Sequence, residues 1–245
     1  MGLDISAIDK LLPEAIRIFW ESRTKAVKKQ KLRGASDQGN RAGVTAGKNM
    51  DGFISMIKQL IVDNGVTDAE IFTNGRIQLS LPGYYRPTKN WDLLIVGKRK
   101  LIAAIEFKSQ VGPSFGNNFN NRVEEALGNA IDIKTAYREG AFGESQEPFI
   151  GYFFVLEDCD KSTSTVSFSS PHFPVMKDFI DTSYARRYEI LCRKLVHENL
   201  YSSATLLMTN RNDIDNGKYT CLSELTSVKR FAISLAGKAA SFSID

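Results

Sequence analysis

The sequence contains few of the residues that several common kinds of site require. Its 245 residues include two histidines and three cysteines. His172 lies between two prolines and His197 falls on a predicted helix, so neither a histidine-based nucleophilic triad nor a His-rich zinc site is expected. Cys159, Cys192 and Cys221 are not spaced as metal ligands, and their odd number argues against a disulfide framework. We therefore expect three reduced thiols in a cytoplasmic protein.

Long hydrophobic runs and nucleotide-binding glycine motifs are also missing. No apolar run approaches the roughly 20 residues that a membrane span needs. The start, Met-Gly-Leu-Asp-Ile-Ser, lacks the basic and apolar parts of a secretory signal. Neither a Walker A motif nor a dinucleotide-binding glycine motif is found, so ATP-driven action has no support. We expect a cytoplasmic protein without a membrane segment, in which residues 1–245 form one domain.

Positive charge is concentrated in the first fifth of the chain, although the net charge is only +4. Residues 23–48 carry eight basic residues and one acidic residue, Asp37, and glycines from Gly34 to Gly47 favour a loop. A phosphate backbone attracts such a segment because each neutralised phosphate releases condensed counterions. A solvated helix end followed by a loop is the alternative. The candidate DNA-binding residues here are Lys28, Lys29, Lys31, Arg33 and Arg41.

Hydrophobic periodicity predicts an α/β fold, with a mixed central sheet flanked by helices. Apolar residues at helical spacing predict helices over 8–19, 50–61, 118–139 and 183–200. Apolar or alternating runs predict strands over 70–73, 76–81, 91–96, 101–108, 149–156 and 205–208. Asn74-Gly75 predicts a hairpin between the first two of these strands. The strand–helix–strand order from 101 to 156 predicts that part of the sheet is parallel. The pattern assigns no structure to residues 223–245.

Two acidic residues interrupt otherwise apolar strands. Asp92 stands near the beginning of one predicted strand, and Glu106 lies near the end of the next. Side chains alternate between the two faces of a strand, so Glu106 and Lys108 face the same way and Phe107 faces the other. A hairpin through residues 97–100 would bring Asp92 close to Glu106. The sequence therefore predicts a cluster of two carboxylates and one ammonium group.

Such a cluster suits metal-dependent phosphodiester hydrolysis. A hard cation offsets the negative charge that accumulates on the phosphate and the leaving oxygen. Mg²⁺ binds a few carboxylates and keeps water and substrate oxygens as its other ligands. We expect Asp92, Glu106 and the backbone carbonyl of Phe107 to hold Mg²⁺. Lys108 would orient or help to deprotonate the attacking water, with a pKa lowered by partial burial. The alternative is a buried Glu–Lys pair with a structural role, although such pairs are poor stabilisers.

Several other polar residues are candidates for this site or for contact with DNA. Glu70 begins a neighbouring strand and is a candidate additional metal ligand, and Gln110 shares the face of Glu106 and Lys108. Arg86 and Lys89 precede Asp92 and are candidate phosphate contacts. The asparagines and the arginine that follow the Glu106 strand are candidate base contacts, because asparagine can read adenine and arginine can read guanine in the major groove. The alternative is that these asparagines cap the next helix. The residues concerned are Asn117, Asn118, Asn120, Asn121 and Arg122.

These segments resemble a known family. The arrangement of Asp92, Glu106 and Lys108 on two strands and a following helix is similar to that of PD-(D/E)xK nucleases, with Trp91 where that motif has proline. Within that superfamily the chain resembles the XhoI restriction endonucleases over essentially its whole length. The segments that carry the resemblance are 15–20, 83–89, 91–95 and 104–122.

The resemblance implies a type II restriction endonuclease with a catalytic core over about residues 48–157. It implies a homodimer that cleaves both strands of the palindrome CTCGAG with Mg²⁺, and a cognate DNA methyltransferase that protects the host's copies of that sequence. A two-fold dimer agrees with the symmetry of a palindromic site. Two alternatives stay open: a repair or junction-resolving nuclease with the same metal centre, and a catalytically silent DNA-binding module.

Overall fold

The computed structural model describes residues 2–32, 48–66 and 69–244. Six helices can be traced in these residues: α1 (Ser6–Leu32), α2 (Asp51–Asp63), α3 (Gly116–Arg138), α4 (Asp160–Thr163), α5 (Tyr184–His197) and α6 (Val228–Ile244). Seven strands accompany them: β1 (Ala69–Phe72), β2 (Ser80–Pro82), β3 (Thr88–Asn90), β4 (Leu93–Gly97), β5 (Lys100–Gln110), β6 (Phe149–Glu157) and β7 (Ser203–Thr209).

The central sheet has five strands in the order β1-β4-β5-β6-β7. The pairs β1–β4 and β4–β5 are antiparallel, and the pairs β5–β6 and β6–β7 are parallel. Lys98 and Arg99 both have positive φ, of 47° and 62°, which is the geometry of the tight turn that joins twisted antiparallel strands. Helix α3 provides the crossover from β5 to the parallel strand β6. The predicted mixed sheet, part of it parallel, is confirmed.

Both faces of this sheet are covered by helices. On one face α1, α2 and α6 pack against Ile105 and Phe107 of β5. On the other face α3 and α5 pack against Ala104 of β5 and against alternate residues of β6 and β7. All nine residues of β6 are buried, because its side chains enter one core or the other. The predicted arrangement of a sheet between helical layers is therefore confirmed.

The prediction of a hairpin at Asn74-Gly75 is wrong. Gly75 does turn the chain with a φ of +85°, but residues 76–79 form a turn where a strand over 76–81 was predicted, and β1 and β2 take different partners. β1 pairs with β4 in the central sheet, from Ala69 opposite Gly97 to Phe72 opposite Leu94. β2 pairs with β3 in a separate two-stranded sheet. The apolar and largely buried strand β4 offers β1 a partner in the central sheet, and this outweighs the local turn preference.

Two helices extend beyond the sequence pattern. α1 runs from Ser6 to Leu32 and is unbroken through Pro13, so it is longer than the predicted helix over 8–19. α6 occupies most of the segment that the pattern left unassigned, and Phe231, Leu235 and Ala239 are fully buried on the α1–α2 side of the sheet. No helix in the described ranges is both long enough and apolar enough to cross a bilayer.

Candidate active site

Asp92, Glu106 and Lys108 meet where β4 begins and β5 nears its end. β4 starts at Leu93, which pairs with Ile105, so Asp92 lies beside the last third of β5. Its Oδ2 atom accepts a hydrogen bond from the backbone N–H of Phe107 at 2.8 Å. The side chains of Glu106 and Lys108 lie on the same face of β5, and Lys108 Nζ is 2.5 Å from Glu106 Oε1. The expected cluster of two carboxylates and an ammonium group is present.

The Glu106 carboxylate lies between two lysines. Its side chain is 6% exposed, and its second oxygen, Oε2, lies 2.6 Å from Lys89 Nζ. Sequence reasoning assigned Lys89 to phosphate contact and did not anticipate this ion pair. Lys108 is also 3.7 Å from Glu125 on α3, which in turn pairs with Arg122 at 2.6 Å. Glu125 was not among the sequence candidates, and no pattern around it marks it apart from other exposed helical glutamates.

Burial and mutual interaction set the charge states of the three groups. Burial and the nearby Glu106 carboxylate raise the pKa of Asp92 to about 6. Burial would also raise the pKa of Glu106, but the attraction of Lys108 and Lys89 outweighs it and lowers that pKa. Burial opposes the charge of Lys108, yet the adjacent Glu106 holds the pKa of the lysine above its ordinary value. The expected lowering of the Lys108 pKa is therefore wrong, and Lys108 is an ammonium group.

The donor atoms at this point suit a small hard cation. Burial reduces the solvation of the Asp92 carboxylate, and among the described residues no ion pair involves this group. The N–H and C=O of one strand residue point to the same side, so the Phe107 carbonyl faces the Asp92 side of β5, as its N–H does. No group of three or more His, Cys, Asp or Glu side chains in the described ranges is placed to hold a metal. Two carboxylates, one carbonyl and solvent are nevertheless a set that Mg²⁺ accepts.

Two other site candidates are placed differently. Glu70 is exposed on β1 and pairs with Val96, at the opposite end of β4 from Asp92, so the structure does not bring it to the cluster. Gln110 is 4% exposed, and its amide donates to the backbone carbonyls of Val111 and Ser114. Its contacts stabilise the loop that leads into α3.

The segment after β5 forms the first turns of α3. Asn117, Asn120 and Asn121 are exposed there, whereas Asn118 donates a hydrogen bond to the Ser114 carbonyl at 2.9 Å. Arg122 is 18% exposed, and its side chain bonds to Glu125. Three of the four asparagines are therefore exposed to solvent, nine to thirteen residues along the chain from Lys108.

Arg86 is already engaged within the protein. Its Nε donates to Asp132 at 2.7 Å and its Nη2 donates to Asn129 at 2.7 Å. Asp132 also accepts the backbone N–H groups of Tyr84 and Tyr85, at 2.8 and 2.9 Å. These contacts attach the β2–β3 loop to α3, and this loop precedes Lys89 in β3.

The basic part of α1 starts at the carboxyl ends of the parallel strands. Trp20 Nε1 is 3.3 Å from Thr209 at the end of β7, and Arg23 Nη2 is 2.7 Å from Ser109 near the end of β5. Lys28 is exposed on the turns that follow. The backbone at Lys29 and Lys31 is helical, but their side chains lie outside the described part of the chain. Arg33 and Arg41 also lie outside the described residues.

Comparisons with known proteins identify the family of the chain. The family model "Restriction endonuclease XhoI" matches residues 29–221. The type II restriction enzyme XhoI of Xanthomonas vasicola is 52% identical over 196 residues, which cover 80% of this chain and 78% of that protein. The type II restriction enzyme BstVI of Geobacillus stearothermophilus is 50% identical over 75% of this chain and 83% of its own.

A third relative, the type II restriction enzyme AbrI of Azospirillum brasilense, is 51% identical over 71% of this chain and 77% of its own. No solved structure gives a significant match to the chain. The family match contains the whole cluster from Lys89 to Glu125 and ends before α6. The chain therefore belongs to the XhoI restriction endonuclease family, a family of type II restriction enzymes that cleave DNA at specific sites.

Proposed function

We propose that this enzyme uses Mg²⁺ to hydrolyse both strands of double-stranded DNA at CTCGAG. The observation that carries the proposal is the meeting of Asp92, Glu106 and Lys108 at the end of β5, in a chain half identical to type II restriction enzymes. A buried pair of carboxylates beside a lysine is costly to maintain for stability alone. The same set is what metal-dependent phosphodiester hydrolysis requires.

Asp92, Glu106 and the Phe107 carbonyl would hold the cation. When bound, Mg²⁺ would polarise the phosphate and favour ionisation of a water molecule near neutral pH. The Phe107 N–H fixes the orientation of the Asp92 carboxylate through their 2.8 Å hydrogen bond. A fixed carboxylate loses little further freedom on binding a ligand, so this contact pre-organises the site.

Lys108 acts as an ammonium group in this proposal. Because Glu106 keeps it protonated, Lys108 does not take a proton from water in the state that the structure shows. It would instead donate hydrogen bonds to the water nucleophile or to a phosphate oxygen and offset the charge that develops there. Glu125 lies 3.7 Å from the same ammonium and restrains it from the α3 side.

The DNA would lie across the carboxyl ends of β5, β6 and β7. Lys28 and its basic neighbours on α1 begin at this edge and would contact phosphates. The exposed amides of Asn117, Asn120 and Asn121, at the beginning of α3, would face the bases. Arg122 would contact the bases only after its ion pair with Glu125 breaks.

The palindromic target calls for a homodimer, because two identical sites cut a two-fold sequence on both strands. A cognate DNA methyltransferase would protect the host's own copies of CTCGAG. We further propose that the enzyme acts in the cytoplasm and that its chain forms one domain, in which the region of residues 48–157 is the catalytic core.

A plasmid digest tests the proposal. Plasmid carrying known CTCGAG sites is incubated with Mg²⁺ or with EDTA, using the wild type and the variants Asp92→Asn and Lys108→Met. Lys134→Met is the matched control, because Lys134 belongs to the chain's other acidic-x-Lys pattern and pairs with Glu147, away from the cluster.

We expect discrete Mg²⁺-dependent fragments from the wild type and from the control, and none from the two site variants. Discrete fragments that end at another sequence would retain the enzyme class and exclude CTCGAG. A smear that depends on branched or damaged DNA would favour a repair or junction-resolving nuclease. DNA binding without cleavage by folded wild-type protein would favour a silent binding module.

A further inference from the structure

Lys89 is the second cation of the candidate active site, and the β2–β3 hairpin supplies it. Within that hairpin Lys89 pairs with Leu81, and its side chain is only 11% exposed. The ammonium group donates to Glu106 Oε2 at 2.6 Å and to the Asn90 carbonyl at 2.9 Å. It also lies 4.2 Å from the centre of the Trp91 ring, within the range of a cation–π contact. Lys89 is thus enclosed by its contacts and is not a surface side chain reaching for solvent.

Each oxygen of the Glu106 carboxylate forms an ion pair with a different lysine. Lys108 lies at Oε1 and Lys89 at Oε2, so neither oxygen of this carboxylate is without a cation. Together with Asp92 the cluster contains two carboxylates and two ammonium groups. Two carboxylates so close to each other and so deeply buried would repel strongly without this compensation.

The two lysines differ in how they are held. Lys108 lies on β5, two residues from Glu106, and Glu125 restrains it from α3. Lys89 belongs to a separate two-stranded sheet and reaches the cluster from outside the central sheet. A metal ion that binds through Glu106 must share or take one of these two oxygens, and Lys89 can leave without a change in the central sheet.

We propose that Lys89 is the internal counter-cation of Glu106, and that its ammonium competes with the divalent cation of the active site for Oε2 of that carboxylate. The inference rests on the proposed metal site at Asp92 and Glu106. Lys89 would keep the two carboxylates neutralised in the cation-free enzyme, and it would move off Glu106 as the cation binds.

Direct binding of Ca²⁺, measured by calorimetry without DNA, tests the competition. Removal of the competing charge in Lys89→Met should tighten Ca²⁺ binding by about tenfold or more, since the cation no longer has to displace an ammonium group from the carboxylate. Lys89→Arg keeps the charge and should bind Ca²⁺ much as the wild type does. Arg122→Met is the matched control, because it removes a nearby positive charge that pairs with Glu125 and not with Glu106.

Two further readouts separate competition from a structural role. In EDTA, Lys89→Met should have a lower melting temperature than the wild type. Saturating Ca²⁺ should remove most of this difference in melting temperature, because the cation replaces the missing charge. In the wild type, Ca²⁺ should increase acylation of the Lys89 amine, followed by peptide mass spectrometry, while Lys134 stays constant. This last measurement needs no variant.

Equal or weaker Ca²⁺ binding by folded Lys89→Met protein would overturn the competition, as would tightening of the same size in Arg122→Met. The variant Glu106→Gln keeps this result separate from the fate of the metal site. If wild-type Ca²⁺ binding is lost in Glu106→Gln but unchanged in Lys89→Met, the metal site stands and the competition fails. If Ca²⁺ binding does not depend on Glu106, the proposed metal site itself is wrong.

Discussion

The Asp92 carboxylate accepts a hydrogen bond from the backbone N–H of Phe107, and this contact joins the start of β4 to the strand that carries Glu106 and Lys108. It places an acidic side chain where the pairing of β4 with β5 has ended. The two carboxylates and Lys108 therefore form one cluster, although fourteen positions separate Asp92 from Glu106 in the sequence.

Asp92→Asn should separate the chemical role of Asp92 from its structural role. The amide oxygen can still accept from Phe107, so we expect a folded protein, but it lacks the charge that a cation needs. Cleavage should fall by about a hundredfold or more. Ca²⁺ affinity by calorimetry and plasmid cleavage rates measure the two effects. Asp92→Ala, which also loses the hydrogen bond, is the comparison, and near-normal cleavage by Asp92→Asn would remove Asp92 from the metal site.

Charge reversal on the last turns of α1 should weaken DNA binding in a salt-dependent way. In Lys28→Glu, the slope of log affinity against log salt should become shallower by about 0.9 for each phosphate that the protein no longer neutralises. Lys10→Glu is the matched control, because Lys10 is exposed on the same helix near its other end. Fluorescence anisotropy over a salt series in Ca²⁺ gives the slopes. Equal slopes for the two variants would place the DNA away from the C-terminal part of α1.

Asp132 should stabilise the protein through the β2–β3 loop. Asp132→Ala removes the acceptor of the Tyr84 and Tyr85 N–H groups and of Arg86, and we expect a loss of about 1–3 kcal/mol in the free energy of unfolding at pH 7. Urea denaturation measures it. Lys134→Ala on the same helix should cost much less, because the Lys134–Glu147 pair is partly exposed.

The contribution of Asp132 should also depend on pH. Burial opposes its ionisation, but the hydrogen bonds from Tyr85, Arg86 and Tyr84 outweigh that effect and lower its pKa below the ordinary value of 3.8. For a lowered pKa, the stabilisation is present above that ordinary value and is lost as the pH falls below it. The difference between wild type and Asp132→Ala should therefore shrink below about pH 4. A constant difference down to pH 2 would show that the charge of Asp132 is not the source of its effect.

Two glycines should respond to alanine in opposite ways. A Cβ on Gly52 in α2 would lie 2.6 Å from the Cα of Ala15, so Gly52→Ala should force α1 and α2 apart and cost about 1–3 kcal/mol. A Cβ on Gly128 in α3 would meet nothing within 4 Å, and Gly128→Ala should stabilise the protein by about 0.5–1 kcal/mol. Thermal denaturation compares them, and a stabilising Gly52→Ala would contradict the close contact between the helices.

The sequence alone determined those features that depend on short-range periodicity. Side chains alternate along a strand, so Glu106 and Lys108 share one face of β5 whatever the position of β5 in the sheet. The apolar runs of β4, β5 and β6 predict strands buried inside a sheet that is covered by helices. The turn after β4 made the approach of Asp92 to Glu106 predictable as well. Each of these inferences needed only residues close together in the chain.

Only the tertiary structure decided the partners across longer distances. Asn74-Gly75 favoured a hairpin, but β1 pairs with β4 in the central sheet instead. Lys89 contacts Glu106, and Asp132 holds the loop before Lys89 against α3. Neither contact can be predicted from a local sequence pattern. Burial has the largest single effect on the pKa of Lys108 and lowers it, but the attraction of Glu106 at 2.5 Å, its hydrogen bond and the charges of Asp92 and Glu125 together raise that pKa. Charge states and cross-chain pairings depend on distances in the folded molecule, whereas the faces of strands and helices depend on sequence spacing.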